Sequence, residues 1–126
     1  MVYAYDFDAQ SGTIANRRVF IDSTNEDGVP DGMCIDREGG LWIARWDGWR
    51  VSRYDPEGKK VADIRVPVQY PTSCCFGGAK LDQLFITSSQ RDVAPQSRHE
   101  QAMAGSLFYL DTDSQGFSAR RFGVSA

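Results

Sequence analysis

A unit of two short strands joined by an aspartate-containing turn occurs three times along this 126-residue chain. It reads VYAYDFDAQSGTIANRRVFI near the start, VSRYDPEGKKVADIRVPV in the middle and LFYLDTDSQGFSARRFGV near the end. A second pattern alternates with it: PDGMCIDREGGLWIA resembles PTSCCFGGAKLDQLFIT, each with a proline, an apolar strand, a turn and an aromatic-aliphatic strand. Repeats of about 40 to 55 residues that hold four strands are typical of β-propeller blades.

These repeated units favour a β-propeller over a β-sandwich, the alternative all-β fold with regularly spaced strands. A propeller blade cannot bury both of its faces alone, so it stacks on neighbouring blades. We predict a single partial propeller domain over residues 1–126, with a half-blade at 2–21, a blade at 30–68 and a blade with an insertion at 71–124. These two and a half blades of four-stranded antiparallel sheet would leave open blade faces, through which copies of the chain could associate.

Charge and composition exclude several classes of partner. The net charge is −3 and the 14 Lys and Arg residues are scattered, so no basic surface for nucleic acid is expected. No apolar run approaches the roughly 20 residues that cross a bilayer, and no signal peptide is visible at the start. The three cysteines include no C-x-x-C pair and are expected to be free thiols. These features favour a cytoplasmic protein that does not bind a membrane.

The tripeptide Pro30-Asp31-Gly32 contains the main candidate for chemistry. We predict that it forms a tight exposed turn at the beginning of a strand. In a propeller, the turn that enters an innermost strand points at the central channel. A carboxylate there could hold a hard cation or accept a proton from water. The same tripeptide is also an ordinary turn sequence, so the motif by itself leaves both roles of Asp31 open.

Other candidate residues give weaker signals. The segments that begin at Asp6 and Asp111 resemble the start of a calcium-binding loop but lack the glutamate at the twelfth position, so they are interpreted as hairpin turns. His99 is the only histidine and lies in a polar segment. Neither Ser73 nor Ser88 has a histidine near it in sequence, so a Ser-His-Asp triad is not supported.

Two motifs in the correct order resemble the C-terminal half of the gluconolactonase, regucalcin and senescence-marker-protein family. They are VPDGMCIDREGGLWIA at 29–44 and PTSCCFGGAKLDQLFIT at 71–87. The segments before and between them also fit, so the likeness extends over nearly the whole chain. The resemblance implies a six-bladed β-propeller with one divalent metal ion, calcium or zinc, in its central channel. It also implies metal-dependent hydrolysis of sugar lactones, in which water attacks the lactone carbonyl.

Within this family pattern, the resemblance makes Asp31 a metal ligand and the candidate base that activates water. The family's other metal ligands, a glutamate and an asparagine, belong to its N-terminal half, and no counterpart to them is found in this sequence. Ser73 and Cys74 follow the equivalent turn of the next blade and are predicted to line the channel. The segment 90–105 departs most from blade regularity. It is either a solvated insertion or a loop that overhangs the site and influences substrate choice.

Three functions are compatible with the sequence. The first is the C-terminal half of a metal-dependent sugar lactonase, with Asp31 as its catalytic and metal-binding residue. The second is a non-catalytic, calcium-binding or scaffolding propeller module of the regucalcin kind. The third is an inactive fragment that folds poorly by itself. Glutamate and asparagine ligands in an upstream sequence would favour the enzyme.

Overall fold

The computed structural model describes residues 1–119 and residue 123, and this part of the chain forms nine β-strands and one short 3-10 helix. None of the described helical segments is long and apolar enough to cross a membrane. The strands are rich in β-branched and aromatic residues, which pack well on a pleated surface. They are β1 (Val2–Asp8), β2 (Thr13–Ile21), β3 (Val29–Ile35), β4 (Leu41–Trp46), β5 (Arg50–Tyr54), β6 (Lys60–Arg65), β7 (Pro71–Gly77), β8 (Gln83–Ser88) and β9 (Phe108–Asp111), and the 3-10 helix is Pro95–Ser97.

The strands form three antiparallel sheets in sequence order: the hairpin β1-β2, the four-stranded sheet β3-β4-β5-β6 and the three-stranded sheet β7-β8-β9. The predicted last strand of the third repeat would cover the end of 71–124. Residues 117–119 form no strand, and the rest of that prediction, apart from Gly123, lies outside the described residues. Gly116 instead makes an isolated bridge to Asp36 beside the preceding sheet.

The main core lies between the four-stranded and three-stranded sheets. Trp42, Val51, Leu84 and Ile86 are buried there, and the Trp42 ring meets Phe76 edge to face at 5.5 Å between centroids. Complete burial of one such aliphatic side chain contributes about 1.5 to 3 kcal/mol. The packing of apolar sheet faces therefore holds the two units together.

A second, smaller core joins the β1-β2 hairpin to the four-stranded sheet through Ile21, Ile43 and Tyr54. The strands β4 and β5 are thus buried on both faces, which explains the nearly unbroken apolar run of β4. The outer faces of the first and last sheets remain exposed. Their large exposed apolar residues are Tyr3, Tyr5, Phe7, Ile14 and Val19 on the β1-β2 hairpin and Tyr109 on β9.

The segment between β8 and β9 is packed against the fold at several points. Val93, Gln101 and Ala104 are buried, although most of their neighbours are exposed. The side-chain oxygen Oε1 of Gln101 accepts a hydrogen bond of 2.9 Å from the backbone N–H of Gln69, in the β6-β7 connection. The segment between β8 and β9 is therefore anchored to the β6-β7 connection and is not wholly solvated. Its influence on a substrate stays a prediction.

A completely buried carboxylate, that of Asp36, closes the turn between β3 and β4. It accepts hydrogen bonds from the backbone N–H groups of Glu38 at 3.0 Å and Gly40 at 2.7 Å, from Trp42 Nε1 at 2.8 Å and from Arg53 Nε at 2.9 Å. Burial alone would raise the pKa of Asp36, but the hydrogen bonds from Trp42 and Arg53 outweigh burial and lower it. The charged carboxylate is therefore a stabilising part of this hairpin.

Candidate functional site

The structure places Asp31 inside strand β3 rather than in a turn ahead of the strand, which corrects the predicted turn. The pairing of β3 with β4 is irregular between Pro30 and Met33, so Asp31 and Gly32 lie in a β-bulge. A bulge re-aims side chains and is common beside active sites. The Asp31 side chain is exposed at this point.

The physical reason for the correction is that the chain turns earlier than predicted. Gly28 has a φ of +71° and ends the loop that precedes β3. Pro30 then takes part in the strand, as it can because β3 is an edge strand of its sheet, where a missing N–H donor is tolerated. The Pro-Asp-Gly sequence therefore makes an irregular strand with an outward carboxylate.

The strand β7 of the next sheet packs directly against the bulge. A side chain at Gly32 would bring its Cβ to 2.8 Å from the Cα of Ser73 and into collision with the Ser73 hydroxyl. Only glycine therefore permits this approach of β3 to β7. The two prolines that align in the sequence repeat, Pro30 and Pro71, thus begin neighbouring strands of adjacent sheets.

Replacing Gly32 with alanine is expected to lower the free energy of unfolding by about 1 to 3 kcal/mol, because the new methyl group overpacks the contact with Ser73. Urea denaturation of wild type and variant measures this change. In a Ser73→Gly background, the same Gly32→Ala change should lower the free energy of unfolding by less than it does in wild type, since the colliding hydroxyl is absent. A Gly32→Ala protein as stable as wild type would contradict the close approach of the two strands.

Of the two residues predicted to line the channel, Ser73 lies next to the bulge and Cys74 lies in the core. Ser73 is half-buried and borders a small cavity of about 80 Å³ together with Phe85, Thr87 and Leu107. The Cys74 sulfur is 3.4 Å from the carbonyl oxygen of Trp42, between the sheets. The lining of the channel by Ser73 and Cys74 stays a prediction; Cys74 is buried and also borders this small cavity.

A buried arginine, which sequence reasoning missed, supports the strand that carries Asp31. Arg45 pairs with Pro30 across the sheet and is completely buried. Its Nη2 donates to the carbonyl oxygen of Gly28 at 2.8 Å, while Nε and Nη1 have no hydrogen-bond partner among the described residues. Arg45 therefore holds the loop that enters β3. The apolar pattern of LWIARW predicted a buried strand and gave no signal for a buried charge.

The remaining candidate residues lie on elements other than β3, the strand that carries Asp31. Asp6 accepts hydrogen bonds from Asn16 and Arg18 across the β1-β2 hairpin, as the hairpin interpretation requires. Asp111 accepts a hydrogen bond from Gln83 Nε2 at 2.9 Å. His99 has a side chain that is 77% exposed. No described residue of either acidic segment belongs to a group of side chains that could hold an ion.

The described residues do not form a complete metal site. They include no group of three His, Cys, Asp or Glu side chains placed to hold one ion. Asp31 offers a single carboxylate, whereas calcium takes about six to eight oxygen ligands and zinc about four ligands. An ion bound at Asp31 would need ligands from outside the described part of the chain.

Comparison with known proteins assigns the chain to a family. Residues 1–90 match the SMP-30/gluconolactonase/LRE-like region. The chain belongs to this family. Regucalcin of Sus scrofa is 44% identical over 110 residues, which cover 86% of this chain and 37% of that relative. Regucalcin of Homo sapiens is 43% identical over 110 residues with the same coverage. The chain therefore spans little more than a third of the length of these curated relatives.

Solved structures of the SMP-30/gluconolactonase/LRE-like family share the fold. The calcium-binding protein regucalcin of Agrobacterium tumefaciens is 32% identical with a TM-score of 0.85, over 91% of this chain and 39% of that chain. A gluconolactonase of Xanthomonas campestris is 34% identical with a TM-score of 0.56, over 68% of this chain and 26% of that chain. These matches confirm both the predicted family and the predicted partial β-propeller.

Proposed function

We propose that this chain provides the Asp31 side of the active site in a metal-dependent sugar lactonase. The observation that carries the proposal is the exposed Asp31 carboxylate, presented by a bulge in the first strand of the central sheet. The family of this chain includes gluconolactonases, which gives the reaction class. The close packing of Gly32 against Ser73 supports the proposal, since it holds the backbone of the bulge in place.

In this proposal, Asp31 accepts a proton from the water molecule that attacks the carbonyl carbon of the lactone. A carboxylate is a suitable general base for this step. The new C–O bond gives a tetrahedral intermediate, and its collapse breaks the bond between the carbonyl carbon and the ring oxygen. The proton then returns to that ring oxygen, which becomes the hydroxyl group of the open sugar acid.

Asp31 is a single ligand, so the described residues do not by themselves complete a site for the metal ion. We propose that Asp31 contributes one oxygen ligand to a divalent ion, calcium or zinc, and that the other ligands lie outside the described residues.

A non-catalytic calcium-binding module is the second candidate function. The likeness to the Agrobacterium tumefaciens regucalcin, a calcium-binding protein, favours it. In that case Asp31 binds an ion through oxygen and no water is activated. The two candidates differ in whether lactone hydrolysis accompanies ion binding.

The deciding experiment measures aldonolactone hydrolysis by the purified chain after treatment with a chelator and after adding back calcium or zinc. Buffer with the same ion, without protein, corrects for spontaneous ring opening. The lactonase proposal predicts turnover that the chelator removes and one of the ions restores. Ion binding in calorimetry without turnover would favour the calcium-binding module. Folded protein with neither property would contradict both functions for this chain.

A further inference from the structure

Two cysteines that are 40 residues apart in sequence meet between adjacent sheets. The Sγ atoms of Cys34 on β3 and Cys74 on β7 are 3.7 Å apart, and both thiols are free. Cys34 is half-buried and Cys74 is buried, whereas Cys75 is exposed. Because side chains alternate along a strand, Cys75 points away from the side to which Cys74 points. Cys34 and Cys74 are therefore the two cysteines whose sulfurs are in contact.

We propose that Cys34 and Cys74 form a reversible disulfide that links β3 to β7 beside the Asp31 bulge, with a low-molecular-weight disulfide as the oxidant. This dithiol site is separate from the lactonase proposal, since it requires neither a metal ion nor the Asp31 carboxylate. It joins the two strands that the contact between Gly32 and Ser73 already holds together.

Access to the pair is provided by a surface cavity of about 530 Å³. Its lining includes Cys34 and the exposed Cys75, together with Ile35, Phe76 and Leu81. Cys74 does not line this cavity and borders instead the smaller one of about 80 Å³, so of the two sulfurs in contact a small disulfide that enters the larger cavity reaches that of Cys34. The contact with Cys74 also lowers the pKa of Cys34, while the contact with Cys34 and burial raise the pKa of Cys74. Cys34 is therefore the attacking thiolate.

The reaction consists of two exchange steps. The Cys34 thiolate attacks one sulfur of the small disulfide, the S–S bond of the oxidant breaks, and a mixed disulfide and one small thiolate form. The Cys74 thiol gives its proton to that small thiolate and attacks the Cys34 sulfur, and the second small molecule leaves as a thiolate that takes up the proton Cys34 lost on ionisation. Two protein thiols are thereby oxidised to one disulfide, and one small disulfide is reduced to two thiols.

The geometry requires the sulfurs to approach from 3.7 Å to about 2.0 Å. We expect side-chain rotation to supply this movement because β3 and β7 are already in close contact at Gly32 and Ser73. The product closes a long loop between the central and last sheets, which restricts the unfolded chain. Oxidation is therefore expected to raise the melting temperature by roughly 5 °C or more.

The test uses the variant Cys75→Ser, in which Cys34 and Cys74 are the remaining cysteines. The reduced, folded protein is incubated with oxidised glutathione and analysed by intact mass and non-reducing peptide mapping. The expected product has lost two hydrogen atoms, contains a peptide that links Cys34 to Cys74, and returns to the dithiol with dithiothreitol. Folded protein that keeps both thiols, or that keeps bound glutathione without the link, would overturn the proposal.

Two further variants test the order of the steps. Cys74→Ala/Cys75→Ser should stop at a mixed disulfide that holds one glutathione on Cys34. Cys34→Ala/Cys75→Ser, which retains only the buried Cys74, should react at least about tenfold more slowly. Circular dichroism establishes that each variant is folded. Equal reactivity of Cys34 and Cys74, or a wild-type product that links Cys74 to Cys75, would contradict the assigned pair.

Discussion

Replacing Asp31 with alanine is expected to lower kcat/KM for metal-dependent lactone hydrolysis by about 100- to 10,000-fold, the range that a general base typically contributes. The same change should weaken binding of the activating ion, because it removes one of the oxygen ligands. Hydrolysis rates and ion calorimetry on the form of the protein that shows turnover measure the two effects separately. The variant Asp31→Asn keeps an oxygen atom but not the basic carboxylate, so its loss of rate should exceed its loss of ion affinity.

A matched control for Asp31 is Asp113→Asn. Asp113 is also exposed, but it lies in the turn after β9, far along the chain from the bulge. This variant should retain both hydrolysis and ion affinity. If Asp31→Ala also retains both, Asp31 is neither ligand nor base. If wild type binds the ion but does not hydrolyse lactones, and Asp31→Ala weakens that binding, the calcium-binding module is favoured instead.

Replacing Asp36 with alanine is expected to lower the free energy of unfolding by about 3 to 5 kcal/mol, since it breaks a buried ion pair and leaves its donors without an acceptor. The donors left without an acceptor include the backbone N–H of Gly40 and Trp42 Nε1, which are buried with the Asp36 carboxylate. Arg53 also loses the buried one of its two carboxylate partners, which lies at 2.8 Å. Denaturant unfolding followed by tryptophan fluorescence measures the change.

Glu38→Gln is the control for Asp36, because Glu38 also pairs with Arg53 but its side chain is 71% exposed. Its effect should remain below about 1 kcal/mol. Stability should also depend on pH through Asp36, whose pKa is lowered in the folded protein. The stabilisation is complete above the ordinary aspartate pKa of about 3.9 and is lost as pH falls through the lower folded-state pKa. Wild type should therefore lose more stability on acidification than Asp36→Ala, and an equal loss would contradict this role.

The sequence by itself determined the all-β class, the approximate positions of the strands and the family. The repeated two-strand units predicted the pairs β1-β2, β3-β4, β5-β6 and β7-β8 close to their observed bounds. The turns inside these units predicted the hairpin connections. These features depend on residues close together in the chain, where side-chain alternation and turn chemistry act. The paired motifs around Asp31 and Ser73 were sufficient for the family because their order and spacing are specific.

Only the tertiary structure decided which side chains of neighbouring strands and sheets contact each other. The bulge at Asp31, the burial of Arg45 and the contact between Cys34 and Cys74 had no local signal, because each depends on how β3, β4 and β7 pack. Alignment of PDGMCID with PTSCCFG placed these segments at equivalent positions of successive repeats, but it did not show which side chains face each other. A pattern with a period of two assigns a residue to one face of a sheet, whereas its partner on the next sheet is set by the stagger and separation of whole blades.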